Sequence, residues 1–327
     1  MPGFKTHSIF GIEAVKSLES SELKNHIAGH NEVFQMGCQG PDFIFYYLPS
    51  HLYGANYGDT LHTTKVSVFF KELLYLREKY PRSEIPIIDS YIAGFFSHYI
   101  LDSAIHPYIY FRTNHMKHLT EPAIDFGNHS ALETDIDQAC LSHYLGIQPL
   151  DFRPWKRIAM NERERTVIAA FMARALNDTY PEIYCSSSTI RHAMQAMQLE
   201  QRLMYDPKGV KKKILDMTDY MTCRHVFLSS MVPFEGNNHY SDPCNAGGRT
   251  WENPFEPSLK SRKSVYQLFN ESKERYLKIL YLFVNTCEKQ DLAFESDEYR
   301  RDYETSLSDL LRELGNNSYL SGLPLNK

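Results

Sequence analysis

Three polar residues punctuate the apolar run FFSHYILDSAIHPYIYF at residues 95–111: His98, Asp102 and His106. They stand at i, i+4 and i+8, and residues four apart stack along one face of a helix. Their neighbours Phe95, Phe96, Tyr99, Ile100, Leu101 and Ile105 are apolar or aromatic, which places the segment in a core. Charge in a core is costly unless it is paired or bound to a metal. Either the three residues satisfy one another or a cation sits among them.

Other residues of the same chemistry crowd the same half of the chain. Of 14 histidines, all but His192, His225 and His239 lie at or before His143. KTHSIFG offers His7, GPDF offers Asp42, GDTLH offers Asp59 and His62, and HSALE offers His129 and Glu133 at i, i+4. Neutral imidazole and carboxylate are the usual ligands of zinc and related divalent ions. A single HxxxE or HxxxD is a weak sign, and HSALE alone reads as a surface ion pair. Two such pairs, one within an apolar helix and with His7, Asp42 and His62 upstream, point to a metal site. His26, His30, His51, His115, His118 and His143 lack that support and read as surface or structural histidines. Asp59 rivals Asp42 as the carboxylate beside His62, its ordinary role being a helix cap.

The elements that must hold these groups are helical. TTKVSVFFKELLYLREKY places Val66, Phe69, Phe70, Leu73 and Leu76 on one face, with Thr63 or Thr64 as the cap. PIIDSYIAGFFSHYILDSAI reads as a central helix that Pro107 should end or kink near His106. NHSALETDIDQACLSHYLG reads as a helix capped by Asn128 and stopped by Gly146. RERTVIAAFMARALNDTY, STIRHAMQAMQLEQRLMYD, GVKKKILDMTDYMTC, a long segment from Ser258 to Gln290, and SDEYRRDYETSLSDLLREL continue the pattern. No convincing alternating strand interrupts it, so the class is all-α. We divide the chain at 165: residues 1–165 as a metal-binding helical core, and 166–327 as a helical half packed on it in one globular unit. Residues 232–258, rich in Gly, Asn, Pro and Asp, form a long loop that either connects elements at the surface or lines a cleft.

Composition narrows the classes. The 327 residues are 43% hydrophobic, enough for a sizeable core, and the net charge of -5 gives no general attraction to nucleic acid or anionic lipid. KGVKKK, ending at Lys213, reads as a solvated helix start. The N-terminus lacks the apolar stretch of a signal peptide, and no segment is long enough to span a membrane. The six cysteines, at 38, 140, 185, 223, 244 and 287, form no CxxC pair and read as reduced thiols. These features together predict a cytoplasmic protein.

The order His7, Asp42, His62, His98-x-x-x-Asp102, His106, His129-x-x-x-Glu133 resembles the zinc-dependent phospholipase C family, in its branch without a secretion signal. The resemblance covers about the first half of the chain. It implies the all-helical fold which that family shares with the S1/P1 nucleases, and a di- or trinuclear zinc centre that activates water to cleave a phosphodiester. By that resemblance His62 and His98 bind one ion, Asp102 bridges it to a second that His7 completes, and His106, His129 and Glu133 bind a third. Asp42 contacts the first ion and orients or deprotonates the attacking water. Secreted members use their N-terminal residue as a ligand; here Met1 or Pro2 would have to stand in. The gap from Asp102 to His106 is short for that family, so His115 or His118 competes with His106.

Two readings follow. One is a phosphodiester hydrolase acting on a phospholipid or a soluble phosphoester, with a nuclease as the close variant that the missing basic stripe argues against. The other is a metal-stabilised helical scaffold or sensor without turnover. Iron or manganese would also suit these ligands. The sequence carries no sign of oligomeric state.

Overall fold

The computed structural model describes residues 3–47, 57–221, 229, 232 and 239–325. In the first half the helices are α1 Phe4–Ser17, α2 Glu22–Gly29, α3 Asn31–Gly37, α4 Tyr57–Thr63, α5 Val66–Arg77, α6 Ile85–Arg112 and α7 Pro122–Cys140. Then come α8 Pro154–Arg157, α9 Glu162–Thr179, α10 Ser187–Leu203, α11 Val210–Met221, α12 Val265–Leu292 and α13 Asp297–Leu314. Among the described residues the strands are β1 Trp251–Asn253 and β2 Glu256–Ser261, an antiparallel hairpin. The chain is therefore all-α with one small hairpin.

The apolar run becomes the axis of the molecule. From Ile87 to Tyr110, nearly every side chain of α6 is buried, among them Phe95, Phe96, Tyr99 and Ile105 at 0% exposure. Pro107 does not end this helix, which continues to Arg112. An interior proline costs about 3 kcal/mol. Burial of Ile105, Tyr108 and Ile109 on either side of it offsets that loss.

Other elements close on α6 at specific contacts. Gly94 on α6 and Gly37 on α3 let the two backbones touch: a Cβ on Gly94 would collide with the Phe34 carbonyl, and one on Gly37 with the Tyr91 carbonyl. Phe10 of α1 packs edge-on against Phe269 of α12 at 5.1 Å. Helix α12 in turn lies on α6, where Phe283 meets Phe96 at 5.7 Å and the Tyr276 hydroxyl donates to the Ala93 carbonyl at 2.7 Å. The segment after α13 hooks back: the Tyr319 amide donates to the His62 carbonyl at 3.2 Å and the Asn317 amide to the Tyr99 hydroxyl at 2.9 Å.

Several boundaries differ from the periodicity reading. Helix α7 begins at Pro122, so Asn128 is interior and caps nothing; the stop at Gly146 is real, with φ +63 after a short π-helical turn. Neither Thr63 nor Thr64 caps α5. Their hydroxyls donate to the carbonyls of Asp59 and Thr60, and Lys65 precedes α5 with no side-chain cap. Helix α12 starts at Val265, capped by Ser264, because residues 256–261 pair as β2 instead. Within 239–258 the loop is tightly turned: the Asn245 amide donates to the carbonyls of Arg249, Arg262 and Lys263. None of the described cysteines forms a disulfide.

Candidate metal centre

Helix α1 brings His7, α4 brings His62, α6 brings His98, Asp102 and His106, and α7 brings His129 and Glu133. Asp42 starts a 3-10 turn, Asp42–Tyr46, that follows the Gly-Pro pair. Gly40, at φ +52, makes that turn possible, and a Cβ there would strike the His98 ring. The chain thus passes directly over His98 and sets Asp42 beside it.

His7, Asp42, His62, His98 and Asp102 form one buried cluster, each at most 4% exposed. Asp42 Oδ1 lies 3.2 Å from His62 Nε2 and 3.5 Å from His98 Nε2. Asp102 Oδ1 lies 3.5 Å from His7 Nε2, and its Oδ2 lies 3.8 Å from His98 Nε2. The rings of His7 and His98 stack with centroids 4.1 Å apart. Ligand atoms within 4.8 Å of one another define two overlapping triads, His7 with Asp42 and His98, and His62 with His98 and Asp102. The third triad joins His106, His129 and Glu133. It is tied to the first two through His106 Nδ1, 3.1 Å from Asp102 Oδ2.

Backbone carbonyls fix which ring nitrogens face inward. His62 Nδ1 sits 2.7 Å from the Gly58 carbonyl, and His98 Nδ1 sits 3.2 Å from the Cys38 carbonyl. A carbonyl only accepts, so each Nδ1 carries the proton and each neutral ring turns a lone pair inward at Nε2. Those lone pairs meet carboxylate oxygens, which are acceptors too. Six atoms of this cluster make no hydrogen bond to any described residue: His7 Nδ1 and Nε2, Asp42 Oδ1, His62 Nε2, His98 Nε2 and Asp102 Oδ1. Each orphaned group would cost roughly 1–3 kcal/mol. The sum approaches the ~5–15 kcal/mol that stabilises a whole domain. Cations set among converging acceptors remove the penalty, and the donor set, imidazole and carboxylate, is that of zinc.

Protonation follows the same geometry. Burial drives His98 well below the ordinary histidine range, and the neighbouring His7 adds to the effect. Burial also opposes the His62 imidazolium, but the Asp42 carboxylate, 3.2 Å from Nε2, outweighs it and raises that group. Burial pushes Asp42 up to about 6, with His62 pulling the other way. Asp102 is held well below the usual carboxylate range: burial works against its charge, and His106, His7 and His98 overcome that. In the third triad burial lowers His106 to about 4. Burial resists the charge of Glu133, yet His129, 2.7 Å away, helps hold it down to about 2.

The remaining candidates lie elsewhere. Asp59 is exposed in the first turn of α4, and it is Asp42 that faces His62. His115 pairs with Asp125 at 3.0 Å and His118 with Glu121 at 2.9 Å, while His106 joins the triad. Met1, Pro2 and His51 lie outside the described residues.

Some residues around the centre escaped the sequence reading. Tyr319 covers it, with its ring 4.9 Å from His62 and 5.8 Å from His98. Asp137 accepts from the amides of Lys5 and Thr6 at 3.0 and 2.8 Å, so α7 caps α1 and fixes His7 relative to His129. Asp137 stands four residues after Glu133, and that spacing was a usable signal. Beside Glu133 opens a cavity of about 130 Å³ with Phe4, Lys5, Tyr46, Phe152 and Glu200 on its walls. Lys5 Nζ and Glu200 Oε1 make no hydrogen bond among the described residues, and burial pushes Glu200 up to about 7. His239 and the Tyr240 amide both bind Asp135 on α7, and Phe255 of the hairpin leans on Tyr110, which stacks on His106. Part of the 232–258 loop therefore backs the third triad.

The sequence profile of the family described as zinc dependent phospholipase C matches residues 6–203. That span holds all eight candidate ligands and Glu200. No curated protein and no solved structure matches the chain.

Proposed function

The chain belongs to the zinc-dependent phospholipase C family, and on that premise we propose that it hydrolyses a phosphodiester, a phospholipid headgroup ester being the class that the family suggests. The observation that carries this reading is the cluster of buried acceptors facing acceptors around Asp42 and Asp102. In the proposal His7, Asp42, His62, His98 and Asp102 would hold two zinc ions, and His106, His129 and Glu133 would hold a third. Divalent ions so placed would activate water and stabilise the attacking and leaving oxygens of an in-line phosphoryl displacement.

The protein's own groups supply the rest. Asp42, whose Oδ1 faces both His62 and His98, is the carboxylate placed to orient the attacking water or take its proton. His62 and His98, locked by the Gly58 and Cys38 carbonyls, turn Nε2 to the same point as that carboxylate. Tyr319 and the C-terminal hook cover the cluster from the side of His62. The cavity beside Glu133 has Lys5 on its wall, where it would meet an anionic phosphate. The net charge of -5 does not favour a long nucleic-acid strand. Among the described residues no helix is long and apolar enough to cross a membrane, and we retain a cytoplasmic site of action as part of the proposal.

The direct test is turnover of a chromogenic phosphodiester by protein loaded with zinc, and again after chelation. We expect turnover that is lost on chelation and restored by zinc. Tight zinc binding without hydrolysis of any phosphoester would instead leave a metal-stabilised scaffold.

Acid should weaken the centre. Protons compete with metal for the same lone pairs. His62 and Asp42 are both raised, so that competition should set in as pH falls through about 6. Zinc affinity and activity should therefore decline together below that pH, and a zinc affinity indifferent to acid would count against the assignment.

A further inference from the structure

Helix α11 is built inside out. Val210, Ile214, Met217 and Met221 follow one another at four, three and four residues, within about 60° of arc on a helix. All four face solvent, at 52, 54, 59 and 73% exposure. The opposite face is polar and turned to the protein: Asp219 is buried and accepts from the Ser229 amide at 3.0 Å, and Lys212 donates to the Ser229 carbonyl at 2.6 Å. A helix on a soluble protein ordinarily buries its apolar stripe. Leu199 and Leu203 at the end of α10 are also more than half exposed.

Charge and position identify the occupant. Lys208, Lys211 and Lys213 are exposed around the start of α11 and flank its apolar stripe. The acidic residues of the helix, Asp216 and Asp219, lie off that stripe, Asp216 being 3.8 Å from Lys212. An outward apolar face edged by lysines is the pattern of a helix that lies in the plane of an anionic lipid surface. The helix also begins at the cavity. Asp206, which accepts from the amides of Val210 and Lys212 at 3.1 and 2.8 Å, lines the cavity beside Glu133, together with Glu200 and Met204. The same carboxylate thus starts the helix and walls the pocket.

We propose that α11 docks the protein on an anionic phospholipid surface and presents the Glu133 cavity to it; the link to catalysis, though not the docking, rests on the phosphodiesterase reading above. The test is co-sedimentation of the full-length protein with phosphatidylcholine vesicles, with and without phosphatidylglycerol. The variants are Ile214→Glu/Met217→Glu and Lys208→Glu/Lys213→Glu. Wild type should sediment with the anionic vesicles. The apolar-face variant should lose at least about tenfold in partitioning, since each replacement sets a charge where a side chain must enter the acyl boundary. The lysine variant should lose the salt-sensitive part of the binding. Both variants should melt as wild type does and hydrolyse a soluble chromogenic diester at the wild-type rate, because the altered side chains are exposed and apart from the metal centre. Vesicle binding lost in the variants of a protein that hydrolyses no phosphoester would uphold docking and refute only the enzymatic reading. Equal sedimentation of variant and wild type, or none by either, would overturn docking. So would a wild-type dimer that Ile214→Glu/Met217→Glu dissociates, which would make this face a contact between copies.

Discussion

Asp102→Asn should cut phosphodiesterase activity by at least about two orders of magnitude, the scale on which losing a preorganised electrostatic group acts, and should release at least one ion. The residue is 0% exposed and lies between the clusters, with Oδ1 facing His7 at 3.5 Å and Oδ2 receiving His106 Nδ1 at 3.1 Å. Its charge persists against burial only because His106, His7 and His98 surround it. Asparagine keeps the shape and one acceptor oxygen, which can still receive the His106 proton. Its amide nitrogen then stands where the unpaired Oδ1 stood, 3.5 Å from His7 Nε2, and can donate to that ring in place of a cation. The variant should therefore fold, with less metal. Asp59→Asn is the control, since Asp59 is exposed in the first turn of α4 and its charge there is worth about 0.3–1 kcal/mol. Full zinc content in the Asp102 variant, with zinc lost from the Asp59 variant, would move the centre to GDTLH.

How the centre could be read from sequence depends on how locally each ligand is positioned. His98, Asp102 and His106 share one helix, so spacing and apolar context were enough to set them on one face. His129 and Glu133 share α7 in the same way. That α1 and the Asp42 turn reach the same point is a tertiary fact. It depends on Asp137 capping α1 and on backbone contact at Gly37 and Gly94, and spacing carries neither. Tyr319 is set by a hydrogen bond to a residue more than 250 positions earlier, and no local pattern announces it. That α6 runs on past Pro107 is not local information either. Propensity opposes an interior proline, but burial along the whole of α6 outweighs a local cost of about 3 kcal/mol. The hairpin escaped because β1 and β2 are short and β2 is largely exposed, which leaves no alternating apolar pattern. In α11 the periodicity was legible, but not that its apolar face turns outward.

Removing the metal should lower the melting temperature by roughly 10 °C. The candidate ligands come from five separate segments: α1, the Asp42 turn, α4, α6 and α7. Ions held there would bind the native arrangement, and each would stabilise it by ~2.7 kcal/mol when free metal exceeds its dissociation constant a hundredfold. A kcal/mol moves the midpoint of a 150–250-residue domain by ~2–4 °C, and somewhat less for a longer chain. Two or three ions then give a shift of the stated order. The effect should also be local. Chelation leaves the orphaned nitrogens and oxygens of His7, Asp42, His62, His98 and Asp102 facing one another, so the elements that merely cover them should loosen first. The C-terminal hook, held to the His62 carbonyl through the Tyr319 amide, is the nearest such element. Hydrogen exchange across residues 316–325 should rise in the stripped protein well below its melting point, while exchange in the α6–α12 contact around Tyr276 and Ala93 stays slow. If protein shown metal-free by elemental analysis melts where the loaded protein does, with the hook equally protected, the eight residues do not form a metal centre. Their convergence would then have to be explained by protons alone.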